Sequence, residues 1–299
     1  MGLLHTHVHE SEGVLLFLEE VLLHGLIDTL KLVPFLFLTY LLMEFIEHRA
    51  GDRAEHFMER ASRFAPFVGG ALGAVPQCGF SAAASNFYAA RVISLGTLIA
   101  VFLSTSDEML PILISGDFGV GRAALLVLYK LIVGIIVGFL VDLILRLMRR
   151  GEREINIDNI CENDNCHCER GILHSALHHT VTITLFVLAI TVAINTVVFF
   201  VGTDVIAEAL DGIPVVSHII AALLGLIPNC AVSVALATFF SEGFISVGTM
   251  LSGLFSGAGV GILVLFRVNK NLRENLAVMG VLVLTGSVFG LIGDLIFPF

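Results

Sequence analysis

Apolar runs long enough to cross a bilayer recur along the chain, separated by short polar segments. A helix rises 1.5 Å per residue, so about 20 apolar residues match a hydrocarbon core of about 30 Å. Runs of this kind lie at Val33–Ile46, extended backwards to Leu26, and at Val92–Ser115, Ala123–Leu147, Val181–Val201, Ile245–Phe266 and Leu276–Phe299. They predict an all-α integral membrane protein. Composition agrees: 57% of residues are hydrophobic and 14% charged, against about 25% charged in a soluble domain, and the mean hydropathy is +0.95. The lipid bilayer is thus the first expected partner.

The pattern is also duplicated. Gly73–Ser104 (GAVPQCGFSAAASNFYAARVISLGTLIAVFLS) recurs without a gap at Gly225–Ser256 (GLIPNCAVSVALATFFSEGFISVGTMLSGLFS), an offset of 152 residues with 11 of 32 positions identical. At the same offset Gly134, Gly138, Asp142, Leu143 and Ile144 fall on Gly286, Gly290, Asp294, Leu295 and Ile296. The organisation read from this is a His-containing amphipathic segment at 1–25, a first repeat at 26–147, a linker at 148–177 and a second repeat at 178–299. Duplicated halves of this length occur in many membrane transporters.

Basic residues set the expected topology. Arg49, Arg53, Arg60 and Arg63 form one cluster, Arg146, Arg149, Arg150 and Arg153 a second, and Arg267, Lys270 and Arg273 a third. The positive-inside rule puts all three loops, and with them the 148–177 linker, in the cytoplasm. The loops at Gly202–Gly212 and Ser241–Gly243 lack Lys and Arg and suit the outside, as do both termini. The segment between Ala65 and Gly116 must then make one net crossing. Ala65–Ala90 is read as a re-entrant helical hairpin turning at Pro76-Gln77-Cys78-Gly79, and Val92–Ser115 as a full span. Each repeat then has three transmembrane helices and one re-entrant hairpin, about ten helical segments in all. An odd number of crossings makes the two repeats inverted. A straight, Pro-kinked span in each repeat is the alternative. Met1–Glu20 has neither a positive n-region nor a clear cleavage site, so no removable signal peptide is expected.

Polar groups inside these apolar runs are the candidate chemistry. Pro76 and Pro228 remove amide donors at the hairpin tips and break the helix, exposing backbone beside Gln77, Cys78, Asn229 and Cys230. Such backbone is tolerated at membrane depth only inside protein or against a cavity. The cysteines also fit a plain packing role. The next span carries Ser104-Thr105-Ser106-Asp107-Glu108, and ionisable residues at that depth are functional candidates by default. In the second copy Gly259 and Val260 replace the two acids, within a glycine-rich stretch that starts at Ser256 and is expected to bend or unwind. Lys130 lies at the depth of Asp107 and is a candidate counter-ion, or a structural neutraliser. Asp142 and Asp294 recur near span ends, which suits interfacial or helix-packing roles, and the preceding Gly-x-x-x-Gly pairs suit close helix contacts. In the linker Cys161, Cys166, His167 and Cys168, followed by His174, His178 and His179, supply donors for Zn²⁺ or another thiophilic ion. Cytoplasmic thiols remain reduced, and the spacing matches no standard zinc finger. His5, His7 and His9 near the N-terminus suit weak metal collection or a solvated tail.

The run PQCGFSAAASNFYAARVISLGTLIAVFLSTSDEMLPIL, its echo PNCAVS and the junction Cys166–Glu169 with Gly171–Leu173 resemble a family labelled ten-helix heavy-metal exporters. Its members are also called arsenic-efflux-like proteins or manganese transporters. The resemblance spans essentially the whole chain and implies a multi-pass exporter in the bacterial cytoplasmic membrane, without deciding between a metal cation and an oxyanion.

These readings combine into one expectation: a secondary transporter exporting a divalent or soft metal ion, manganese among the candidates, driven by a proton or sodium gradient. Asp107 and Glu108 would bind the cation or the coupling proton. Gln77, Ser104, Thr105, Ser106, Asn229 and Ser256 would add oxygen ligands, and Cys78 and Cys230 would favour a soft ion. The alternative is sodium-coupled transport of a small anion, an oxyanion or arsenical included. No covalent cofactor is expected, and the metal or sodium ion enters as substrate or coupling ion. A homodimer is the candidate assembly. Nucleic acid is not an expected partner, and with no H-E-x-x-H or similar catalytic pair an enzyme is not expected.

Overall fold

A computed structural model describes residues 65–74, 79–105, 109–115, 118–148, 172–201 and 214–297, with scattered positions between 23 and 41. All regular structure among the described residues is helical. In the first repeat the helices are α1 (Ala65–Gly73), α2 (Gly79–Ala89), α3 (Leu95–Ser104), α4 (Met109–Ser115) and α5 (Val120–Leu147). After α6 (Ile172–Val201) the series recurs as α7 (Pro214–Gly225), α8 (Cys230–Ser241), α9 (Val247–Ser256), α10 (Val260–Val268) and α11 (Leu272–Ile296). Each of α7 to α11 falls within a few residues of its partner at the 152-residue offset. Among the described residues four stretches are long and apolar enough to cross a membrane: Val120–Leu147, Ala176–Ile194, Val247–Val268 and Leu272–Ile296.

The same local chemistry starts the third helix of each repeat. Ser94 and Ser246 are N-caps whose hydroxyls accept from the amides of Thr97 and Thr249, both at 3.1 Å, which satisfies donors that a helix start leaves open. The aspartates near the ends of α5 and α11 complete the cap. Asp142 accepts from Ser94 Oγ at 2.6 Å and from the Gly96 amide at 2.9 Å; Asp294 accepts from Ser246 Oγ at 2.9 Å and the Gly248 amide at 2.6 Å. A carboxylate here also faces the positive end of the helix dipole. The recurrent aspartates are therefore helix-packing groups that pin α5 to α3 and α11 to α9.

Two of the expected spans are interrupted, the second within the glycine-rich stretch expected to bend or unwind. Val92–Ser115 is two short helices, with α3 ending at Ser104 and α4 beginning at Met109, and Ile245–Phe266 breaks at Gly257-Ala258-Gly259. Gly259 has φ +52° and ψ −140°, a conformation that glycine adopts without a Cβ penalty. Every residue of α9 and all of α3 after Leu95 are buried, so these helices are the centre of the molecule. By contrast, α5 and α11 expose Leu128, Ile132, Ile136, Leu284, Val288 and Leu295. Apolar stripes of that extent require lipid rather than water around them. The chain is thus a multi-pass helical membrane protein.

The arms on either side of each proline tip pack mainly on different partners. The first arms, α1 and α7, lie on the third and fifth helices of their own repeats, whereas α2 packs mainly on α10, and α8 is shared between α9 of its own repeat and α4. The second helix of each half therefore reaches the fourth helix of the other. Ser85 on α2 fixes one such contact by donating to the Gly261 carbonyl of α10 at 2.7 Å.

Glycine makes the close approaches possible. A Cβ on Gly96 would lie 2.1 Å from the Gly138 carbonyl oxygen, and one on Gly248 2.3 Å from that of Gly290. Gly96→Ala and Gly248→Ala should each destabilise the protein by about 1–3 kcal/mol through overpacking, lowering the midpoint of thermal unfolding in detergent. Gly121→Ala and Gly280→Ala, where nothing lies within 4 Å of the added atom, should leave it unchanged or raise it slightly.

Candidate ion-binding site

The two helix breaks are built against the ends of α1 and α7. At the end of α1 a Cβ on Gly73 would meet Ser104 Oγ at 2.3 Å and the Val101 carbonyl oxygen at 2.5 Å; on Gly225, closing α7, it would meet the Gly253 carbonyl oxygen at 2.1 Å and Ser256 Oγ at 2.5 Å. The first arm of each repeat thus ends directly beside the break in its own repeat. Gly261, just after the second break, approaches Ser81 and Phe102 of the first repeat. That contact joins the halves at the same level.

Hydroxyls finish both broken ends. Ser104 Oγ donates to the Ala100 carbonyl at 2.8 Å and to that of Val101 at 3.1 Å, and Thr105 Oγ1 donates to Val101 at 2.9 Å. Ser256 Oγ repeats the Ser104 pattern towards Ser252 at 3.2 Å and Gly253 at 3.1 Å. Asn229 is buried at the second tip, its amide donating to the Ile227 carbonyl at 2.7 Å. Lys130, fully buried on α5, sends its ammonium between the halves. It donates to the Thr105 carbonyl at the end of α3 and, at 2.8 Å, to the Leu254 carbonyl in the last turn of α9. The ring of Phe255 lies 5.8 Å away, within cation–π range. The equivalent position in the second repeat is Leu282, also fully buried.

Of the residues singled out from sequence, Ser104, Thr105, Lys130, Asn229 and Ser256 thus belong to buried structure at the tips and breaks. Cys230 begins α8. Gln77, Cys78, Ser106, Asp107, Glu108 and the linker's Cys161, Cys166, His167 and Cys168 lie outside the described residues. Among the described residues no three His, Cys, Asp or Glu side chains converge.

Other polar contacts had only weak signals in the sequence. Tyr40 donates to Asn86 Oδ1 at 2.9 Å and stacks on His179 with ring centroids 5.2 Å apart, tying the first helical segment to α2 and α6. Asn86 is fully buried, and its Nδ2 has no hydrogen-bond partner among the described residues. His218 Nε2 lies 3.0 Å from Asp294 Oδ2, adding an imidazole to the second cap where the first repeat has Pro66. A lone Asn or His in an apolar segment was the signal in both cases.

The ends of the bundle differ between repeats. After α2, Arg91 adopts φ +61° where the second repeat has Gly243 at +81°. The same closing bonds follow, Val92 N to Phe87 O at 2.8 Å and Phe244 N to Phe239 O at 2.9 Å. Arg91 is held there by Glu274 at 3.1 Å and by its position 5.1 Å from the Tyr88 ring centroid. Burial alone would lower the guanidinium's affinity for its proton, but Glu274 and Tyr88 hold its pKa above the ordinary value. Tyr88 also donates to Glu274 at 3.1 Å, and Asn269 and Asn275 bond beside it. The counterparts of Tyr88 and Glu274 are Phe240 and Arg122. There Phe240 meets Phe118 edge-on at 5.2 Å and Arg122 lies 5.9 Å from the same Phe118 ring. One junction between the halves is polar and ionic, the other aromatic.

Broken helices at the centre of a lipid-facing bundle, with polar groups gathered at the breaks, define a membrane protein of the transporter type. The chain belongs to the family described as "Putative, 10TM heavy-metal exporter", whose model matches residues 18–198. This is a family of membrane exporters and not of enzymes. No curated protein and no solved structure matches the chain.

Arg91→Ala keeps a Cβ in the left-handed conformation and loses the Glu274 pair, whereas Arg91→Gly removes the Cβ. Arg91→Gly should therefore be the more stable variant by about 1 kcal/mol, as read from thermal unfolding of both in the same detergent.

Proposed function

We propose that the protein is a secondary active transporter that exports a divalent or soft metal ion, manganese among the candidates, from the cytoplasm, coupled to a proton or sodium gradient. The observation that carries this reading is the coincidence of two interrupted helices and the ends of α1 and α7 around a buried polar centre, inside a chain belonging to an exporter family. Helix ends in lipid present dipole ends and free backbone groups to an ion without flexible loops. Asp107 and Glu108 directly follow the first break in sequence, so they are the proposed metal or proton ligands. Gln77, Ser104, Thr105, Ser106, Asn229 and Ser256 would contribute oxygen, and Cys78 and Cys230 sulfur. Cys161, Cys166, His167 and Cys168 would take up metal in the cytoplasmic linker before transfer.

The repeats are proposed to be inverted, each with three spans and one re-entrant hairpin, in the bacterial cytoplasmic membrane with both termini outside. Described lengths support this reading: among the described residues α1 and α2 have 9 and 11 residues and α7 and α8 have 12 each, short of the roughly 20 needed to cross. Exchange of α2 and α8 between the halves is what a two-fold related pair produces. Alternating access would then move each tip and broken helix against α5 and α11. Sodium-coupled transport of a small anion would be favoured by the buried Lys130, although its ammonium is directed at two carbonyls.

In inside-out vesicles carrying an imposed proton or sodium gradient, uptake of Mn²⁺ or Zn²⁺ should be lost in Asp107→Asn and Glu108→Gln. Unchanged flux would remove both acids from the pathway. Uptake of arsenite or another oxyanion instead of the metals would select the anionic reading. Cys161→Ser with Cys166→Ser and Cys168→Ser should lower uptake at sub-saturating metal and leave the maximal rate near wild type.

A further inference from the structure

We infer that the Lys130 ammonium is a tethered cation, occupying a monovalent-cation seat formed jointly by the C-terminal ends of α3 and α9. A helix C-terminus leaves carbonyl oxygens without intrahelical donors and carries the negative end of the macrodipole. In water such an end is solvated, but inside a membrane protein it must find a donor or a cation. The breaks at Thr105 and at Gly257 bring two ends together, one from each repeat. Lys130 Nζ donates to the Thr105 carbonyl of one and to the Leu254 carbonyl of the other, with Phe255 beside it. Hard carbonyl oxygens at paired helix ends are what Na⁺ takes in transporters with discontinuous helices.

The duplication argues that this lysine is there for its charge. Its equivalent, Leu282, occupies the same place on α11 and is fully buried, so the helix position itself is filled by a leucine. An ammonium in such surroundings is tolerated only because it is paired and hydrogen-bonded. The seat therefore has a fixed occupant, and a free alkali ion is not needed to hold α3 and α9 together. Resting on the transporter reading for its consequence, this assigns coupling to something other than sodium at the helix breaks, and favours a proton gradient.

The test is thermal unfolding of the full chain in detergent, in N-methylglucamine, sodium, potassium and lithium chlorides at equal ionic strength. Wild type should unfold at one temperature in all four. Lys130→Met, which keeps the volume of the stem, should unfold several degrees lower in N-methylglucamine and recover saturably with one of the alkali ions. Lys130→Ala should recover with n-propylammonium chloride, which replaces the missing amine. Folded variants that respond to none of these cations would overturn the proposal, as would saturable stabilisation of wild type by sodium. Variants that fail to fold in every cation would also count against it, because an emptied seat should refill. The readout is stability and not flux, so a negative result leaves metal export standing, and absent flux leaves the seat standing.

Discussion

Backbone groups inside a hydrocarbon layer must be satisfied by the protein itself, and the arrangement of this chain follows from how it meets that demand at two broken helices. A continuous helix would need no help. Here α3 and α9 stop within the buried centre; hydroxyls of Ser104, Thr105 and Ser256 bond back onto their last turns, and the Lys130 ammonium takes one carbonyl at each end. Their N-terminal ends are closed by Ser94 with Asp142 and Ser246 with Asp294. The central helices are thus short, buried and interrupted, with side chains capping their starts and Lys130 joining their ends.

Close approach is the second requirement, and glycine meets it. Carbonyl oxygens of Gly138 and Gly290 lie where a Cβ on Gly96 or Gly248 would intrude, and Gly73 and Gly225 admit the ends of α3 and α9. These contacts recur at the same offset as the sequence identities. What recurs in sequence is therefore the part of the scaffold with no spare volume. Positions that differ between the repeats have been given separate work: Lys130 against Leu282 at the breaks, Arg91 against Gly243 after the second helix, and Glu274 against Arg122 at the junction of the halves. A metal exporter built on this plan would hold its scaffold by symmetry and place its ionic chemistry where symmetry fails.

Much of this was legible from residue pattern. Apolar runs marked the spans because lipid demands them, and Pro76 and Pro228 marked ends of helices because proline cannot continue one. Exchange of α2 and α8 between the halves was not legible, since it depends on which apolar face meets which and those faces are alike in composition. The break after Ser104 was hidden for a similar reason: Val92–Ser115 has the length of one full span, and hydroxyls that cap a break look the same in sequence as hydroxyls inside a helix. Lys130 was expected beside Asp107 from depth alone, and Asp107 lies outside the described residues. The lysine's two carbonyl partners come from segments 25 and 124 residues away, and only packing could bring them to one ammonium.

By itself the sequence determined that this is a duplicated, many-helix membrane protein with polar groups in its spans, because hydrophobic periodicity, proline and glycine act locally and can be read locally. Only the tertiary structure decided which helix ends face each other, which half supports which, and where the buried cation sits, because those outcomes depend on surfaces meeting across more than a hundred residues of chain.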